Sequence, residues 1–279
     1  MSRKLAIWLS WHNHSEYYSR MLAKVLRPEY ETTITYKALD WSQFDVVMPY
    51  FPGPHRNPEC ERGKIVKFIR AYHEAGWARD AATVCAPSLP ILERIEKRYK
   101  QGVHLLHWGV NPEHFHPQPW PEGDRLIVGW AGQYKNPYKR FDELKAQIDT
   151  LDGVGFVPAL SHTARGGRQS GEYKVSKMAR YYRRIHVYVC GSSWEGLCFP
   201  LLEACACGRP VVTFDVGVAR DLKRTGAGVV IVDDWDALKR AVRSVDWMAL
   251  GAASAEAVHR HWLWSRLRAR WLEVLDGAG

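Results

Sequence analysis

Two glutamates, Glu195 and Glu203, stand eight positions apart in the stretch Ser192 to Gly217, S-S-W-E-G-L-C-F-P-L-L-E-A-C-A-C-G-R-P-V-V-T-F-D-V-G. Gly196 and Pro200 lie between them, and a Gly208-Arg209-Pro210 turn follows. Carboxylates accept hydrogen bonds from hydroxyl groups. The unpaired N–H groups where a loop opens a helix face phosphate. Gly196, Leu197, Cys198 and Phe199 form that loop. The combination suits a ligand that is both polyhydroxylated and anionic, which is the chemistry of a nucleotide-sugar.

A second constellation runs from Gly132 to Asp142, G-Q-Y-K-N-P-Y-K-R-F-D. It follows a predicted strand and opens a predicted helix. Gly132 permits close approach of the backbone to phosphate, and Lys139 or Arg140 can neutralise a diphosphate. Other patterns carry less. Gly153-Val154-Gly155 lacks the third glycine of a dinucleotide fingerprint. His12/His14, His114/His116 and His259/His261 have no further ligands at zinc spacing, so no metal site is expected. The six cysteines lack framework spacing and read as small core residues of a reduced, cytoplasmic protein.

Glu195 to Glu203 resembles the E-x7-E motif of retaining GT-B glycosyltransferases, in the glycogen-synthase-like group called family 4. Four other segments agree in order. Leu106 to Pro117 is similar to the family's interdomain linker, and Gly132 to Asp142 to its "GR…KGF" segment. Met178 to Ser193 is similar to the helix and strand that lead into the motif, and Gly208 to Val212 to its "cGxPVV" strand. The resemblance covers roughly residues 80–275. It implies that Glu195 contacts sugar hydroxyls, that Glu203 binds the ribose, and that Gly196 to Phe199 meet the donor sugar and diphosphate. Lys139 takes the family's lysine position, and Arg140 stands where glycine is usual. Gln133 stands where arginine is frequent, so Lys135 or Arg140 would supply the missing charge. Arg180, Tyr181 and Tyr182 would lie near the nucleotide base, with core packing as the competing reading. The acceptor-side histidine would be His73, with His12 as the other candidate. No metal and no cofactor beyond the nucleoside diphosphate sugar, such as a UDP-sugar, are implied.

The chain has 279 residues and a formal net charge of +9, spread over both halves rather than gathered in a tail. A basic surface favours anionic partners. The acceptor is therefore read as a large anion. One version is a hydroxylated base in DNA, as in virus-encoded DNA modification, flipped into the site. The other is a lipid-linked or surface glycan. A GT-B nucleotide-sugar epimerase or hydrolase stays open as the alternative function. His259 to Arg270, H-R-H-W-L-W-S-R-L-R-A-R, reads either as a membrane-surface helix or, preferentially, as a helix packing back on the first domain. No apolar run approaches the ~20 residues needed to span a bilayer, and no signal peptide is expected. The sequence does not specify the oligomeric state.

Strands and helices alternate along the whole chain, which predicts an α/β fold. Strands are expected at Leu5–Leu9, Phe44–Tyr50, Ile65–Ile69, Thr83–Ala86 and Val103–His107. A second series runs through Leu126–Ala131, Val154–Val157, Ile185–Cys190, Val211–Phe214 and Val229–Val232. The Pro- and Gly-rich segment 111–124 reads as a linker. The expected domains are 1–110 on the acceptor side, 125–250 for the nucleotide-sugar, and a helix in 251–279 crossing back. Two Rossmann-like domains would face each other across a cleft, with ligands beyond the carboxyl ends of the strands.

Overall fold

The computed structural model describes residues 2–9, 14–49, 64–69, 81, 83–97, 99, 102–163, 169–171, 173–244 and 246–278. Their backbone forms two compact units, one from Met1–Gly109 with Trp264–Gly279, the other from Val110–Arg165 with Gln169–Leu263. Both are α/β.

The first unit opens with β1 (Arg3–Trp8), α1 (His14–Val25), β2 (Tyr30–Thr35) and β3 (Val46–Pro49). β4 (Val66–Phe68), β5 (Thr83–Ala86), α2 (Leu89–Glu96) and β6 (Val103–Leu105) follow. All strand pairs here are parallel, in the orders β2-β1-β3 and β4-β5-β6, and a bridge from Val47 to Ile65 links the two ribbons. Leu5, Ala6, Ile7, Val46, Val47 and Met48 are fully buried, as expected of strands covered on both faces. β2 was not anticipated. Its Y-E-T-T-I-T sequence is polar at alternate positions because it lies at the sheet edge, exposed along one face.

The second unit carries β7 (Leu126–Gln133), α3 (Phe141–Asp149), β8 (Val154–Thr163), β9 (Gln169–Gly171), α4 (Met178–Tyr182) and β10 (Val187–Cys190). It continues with α5 (Phe199–Ala206), β11 (Val211–Thr213), α6 (Ala219–Arg224), β12 (Val229–Ile231), α7 (Trp235–Ser244) and α8 (Trp247–His261). The sheet order is β12-β11-β10-β7-β8-β9, parallel except for β9. Val128, Trp130, Leu144, Val187, Val189, Val212 and Leu238 form its core. Segment 111–124 belongs to this unit and is tied into it. Gln118 N–H donates to the Cys207 carbonyl at 3.1 Å, and the Arg209 guanidinium donates to the Gln118 and Pro119 carbonyls at 3.1 and 2.5 Å.

One long terminal helix, Ala252 to Leu275, was expected, and the structure corrects this. α8 ends at His261 and α9 spans Trp264–Asp276. Between them the Trp262 carbonyl accepts from Val110 N–H at 2.9 Å, and Leu263 bridges Val110 in parallel. Pairing with Val110 takes the backbone groups that a continuous helix would use internally. α9 completes the first unit. Arg268 donates to the Val25 carbonyl at 2.9 Å and pairs with Glu29, while Arg3 and Tyr30 both reach Asp276, at 3.0 and 2.7 Å. Trp271 stacks on Phe68 at 5.3 Å and meets Trp108 edge-on at 5.2 Å. The aromatic residues of this terminal stretch are therefore core groups: Trp262, Trp264 and Trp271 are all buried. No helix among the described residues is long and apolar enough to cross a membrane.

Candidate active site

β7 is the first strand of the second unit. The chain goes to its one side for β8 and to its other side for β10. Loops leaving the carboxyl ends of β7 and β10 therefore diverge, and the crevice between them is where open α/β sheets take ligands. Both predicted motifs lie there. The loop after β7 contains Lys139 and Arg140, and the loop after β10 contains Glu195 to Cys198. Hydrogen bonds zip the loops together. Ser193 N–H donates to the Tyr138 carbonyl at 2.9 Å, Arg140 Nε to the Gly191 carbonyl at 2.7 Å, and Lys139 Nζ to Glu195 Oε1 at 2.5 Å.

The Lys139–Glu195 pair is the electrostatic centre. Its side chains retain 17% and 12% of their exposure, enough for a ligand to reach them and too little for water to screen them as at a surface. Ser192 Oγ donates to the same Glu195 oxygen at 2.8 Å. Among the described residues Oε2 carries no hydrogen bond, and it can accept from a ligand hydroxyl. Burial works against the Lys139 ammonium, but the Glu195 carboxylate outweighs it, and the lysine pKa is raised. A Cβ at Gly132 would make ordinary contact with Lys139 Cε at 3.6 Å and a tight one with the Trp130 ring at 3.2 Å.

The loop then turns into α5 through Cys198, a non-glycine residue in the left-handed region at φ 60°, ψ 67°. Such backbone costs roughly 1–2 kcal/mol and persists where its surroundings over-determine it. The surroundings here are tight. The Leu197 carbonyl accepts from Val218 N–H at 3.0 Å, and a Cβ at Gly217 (φ +55°) would lie 2.4 Å from that same carbonyl oxygen. Pro200 stands in the first turn of α5, where its missing N–H costs nothing. Leu201 to Ala206 are buried, so α5 is a helix packed on all sides.

Glu203 sits on α5 at 1% exposure, and Tyr182 Oη donates to its Oε2 at 2.8 Å. Tyr182, grouped with the nucleotide base in the sequence, is the hydrogen-bond partner of Glu203. Tyr181 is fully buried and ties β7 to β8, donating to the Trp130 and Val157 carbonyls, both at 2.9 Å. This is the core-packing reading of that helix. Arg180 is exposed on the same helix.

Arg140 is built into the wall of the site. Its guanidinium lies 4.6 Å from the Phe214 ring centroid and 4.5 Å from that of Trp235, in addition to its bond to Gly191. Gln133 ends β7 opposite Ser161, and its carbonyl accepts from Asn136 N–H at 3.0 Å. Lys135 is exposed, its ammonium 5.7 Å from the Tyr134 ring centroid. Leu197 is buried and Phe199 partly so. His73 and His12 lie outside the described residues.

Sequence reasoning missed two members of the site. Ser192, three residues before Glu195, fixes its carboxylate. Cys190, at the end of β10, places its thiol 3.4 Å from Ser192 Oγ and in hydrogen-bond contact with the Cys198 thiol. That contact lowers the Cys190 pKa to about 7 against the opposing effect of burial, and it raises that of Cys198. Nothing in the spacing of residues 190 and 198 signals their meeting.

Comparison with known proteins agrees with this geometry. Residues 170–246 match the family described as glycosyl transferases group 1. A GDP-mannose-dependent alpha-mannosyltransferase of Mycobacterium tuberculosis (strain CDC 1551 / Oshkosh) is 27% identical over 54% of this chain and 46% of its own length. The lipopolysaccharide core biosynthesis mannosyltransferase LpsB of Rhizobium meliloti (strain 1021) is 32% identical over 47% of this chain and 36% of its own. The chain thus spans less than half the length of these curated relatives. Among solved structures, sucrose-phosphate synthase from Thermosynechococcus elongatus superimposes with a TM-score of 0.68 at 16% identity, over 98% of both chains. Anabaena HepE in complex with UDP and glucose does so with a TM-score of 0.67 at 10% identity, over 99% of this chain and 100% of its own. The superpositions give this chain the GT-B fold, and residues 170–246 resemble glycosyl transferases group 1.

Proposed function

We propose that the chain transfers a sugar from a nucleoside diphosphate sugar to an acceptor hydroxyl, with retention of configuration and without a metal in the chemical step. The observation that carries this reading is the Lys139–Glu195 pair, set at the switch point of the second unit with one carboxylate oxygen open. Glu195 Oε2 accepts from a donor-sugar hydroxyl. Lys139 faces the diphosphate and stabilises the charge that grows on the leaving oxygen, typically the largest electrostatic contribution to such a transfer. The acceptor hydroxyl attacks from the face the diphosphate leaves, and its proton passes to the departing phosphate oxygen. Glu203, braced by Tyr182, binds the ribose. Mannosyl donors carried on GDP are supported by the names of the sequence relatives, and UDP donors by the ligands of the structural neighbour.

The decisive measurement is a thermal-shift panel that includes GDP-mannose and UDP-glucose. The matching donor raises the melting temperature with a saturating concentration dependence, and Lys139→Ala abolishes the rise. If no nucleotide-sugar shifts the wild-type protein, the proposal fails. The net charge of +9 supports an anionic acceptor. If that acceptor is DNA bearing a hydroxylated base, binding to duplex DNA weakens steeply with salt. If no salt-sensitive binding is seen, the DNA version falls, and a lipid-linked or surface glycan is the acceptor to test next.

A further inference from the structure

Beside the Glu195 carboxylate lie two thiols that the proposed transfer does not use. A thiol from Cys190, a thiol from Cys198 and a carboxylate oxygen of Glu195 all fall within 4.8 Å of one another. Both cysteines are buried, and Glu195 is nearly so. Buried cysteines ordinarily act as small apolar residues, and Cys85, Cys205 and Cys207 fit that role, their pKa values raised by apolar burial. Cys190 and Cys198 differ, because their neighbours are polar: the Ser192 hydroxyl, the Glu195 carboxylate and the Lys139 ammonium. Cys198 also holds its strained left-handed conformation at this point, at φ 60°.

We infer that Cys190, Cys198 and Glu195 form a binding site for a thiophilic divalent cation of the zinc class. Soft thiolates select such ions over magnesium or calcium. Tetrahedral zinc with sulfur at about 2.3 Å and oxygen at about 2.0–2.2 Å sets its ligand atoms roughly 3.5–3.8 Å apart. The thiols are already in contact, so the cluster needs to contract by only about 1 Å. Three protein ligands leave a fourth position for water. The charges also balance. Cysteines as thiols with paired Lys139 and Glu195 make a neutral cluster. On binding, each thiol gives up its proton to solvent and becomes a sulfur ligand. Two thiolates, one carboxylate, one ammonium and one dication again sum to zero. The ion therefore enters without leaving uncompensated charge in a half-buried site. Glu195 cannot serve both the ion and a sugar hydroxyl through the same oxygen, so the ion would compete with the donor. This last consequence, unlike the site itself, rests on the proposed function.

The test is a titration of the full chain with Co(II), followed by absorption. Thiolate coordination gives a sulfur-to-metal charge-transfer band together with visible bands of tetrahedral cobalt, and Zn(II) then bleaches both. One equivalent per chain is expected. Cys198→Gly removes a ligand while relaxing the left-handed backbone, so the variant folds. It is expected to weaken binding by more than about 100-fold, since loss of even an outer partner costs about 10–100-fold. Cys190→Ser loses the band similarly. Absence of the band in the wild type, or a band unchanged in both variants, overturns the inference. No nucleotide-sugar enters this readout, so a failed donor panel leaves it intact, and a failed cobalt titration leaves the donor reading intact.

Discussion

Two buried cations of the second unit, Arg209 and Lys139, are stabilised in opposite ways. Arg209 is fully buried, and its bonds go to main-chain carbonyls, those of Tyr182, Gln118 and Pro119, with its guanidinium 4.1 Å from the Trp120 ring centroid. Burial pulls its pKa down to about 10, and the same burial, with the nearby arginine, lowers that of His186. Among the described residues no carboxylate pairs with this charge. Its work is to bind segment 111–124 to α4 and the turn after α5. Lys139 has a carboxylate partner, keeps part of its surface open, and has its pKa raised. A cation neutralised by backbone dipoles on every side holds structure. A cation paired to one carboxylate that keeps an open oxygen can exchange that pairing for a ligand.

The sharpest break of this contrast is Arg209→Ala. It takes the guanidinium donors away from the carbonyls of Tyr182, Gly208, Gln118 and Pro119 and removes the stack on Trp120. Denaturant unfolding is expected to show a loss of about 3–5 kcal/mol. A loss under about 1 kcal/mol would mean that Arg209 is not a strut. Lys139→Ala should reverse the pattern, keeping the cooperative unfolding transition but lowering turnover of the matching nucleotide-sugar about 10²–10³-fold. A large stability loss with unchanged kcat would put Lys139 in the same class as Arg209.

Two smaller effects refine the comparison. Tyr182→Phe removes a buried donor to Glu203 and is expected to cost about 1–3 kcal/mol in a thermal or denaturant melt. Because Glu203 is the proposed ribose ligand, the donor's KM should rise more than kcat falls. Glu195→Gln should cost about 1 kcal/mol at neutral pH. Lys139 has a raised folded pKa, so its contribution is complete below the ordinary lysine value of about 10.4 and disappears as pH climbs through the folded value. The stability gap between wild type and Glu195→Gln should therefore stay level from about pH 7 to 10 and narrow above it. A gap that already narrows between about pH 7 and 9 would show that another group carries the effect.

The second unit was legible because its signals are contiguous. β10, its loop and α5 follow one another in a single run, and Lys139 stands at a fixed distance beyond Gly132 at the end of a strand. What the sequence hid depends on contacts between distant positions. The thiols of Cys190 and Cys198 meet only because β10 ends where the left-handed turn begins. The break between α8 and α9 comes from pairing with Val110, some 150 positions earlier, which no helical periodicity reports. β2 was overlooked because an edge strand alternates threonine and glutamate with its apolar residues and so reads as loop. Arg140 was read, with Lys139, as a charge that can neutralise a diphosphate. Its bond to Gly191 and its stacking on Phe214 and Trp235 depend on α7 and β11, far along the chain.

Because α9 packs into the first unit while the second unit lies between, the first unit is discontinuous in the chain. Domains tend to fold as they leave the ribosome. The second unit emerges whole once Leu263 has been made. The first must wait, with Trp108 and Phe68 uncovered, until α9 arrives to close it. The order of synthesis thus makes the second unit the earlier to mature, and it leaves the first dependent on α9.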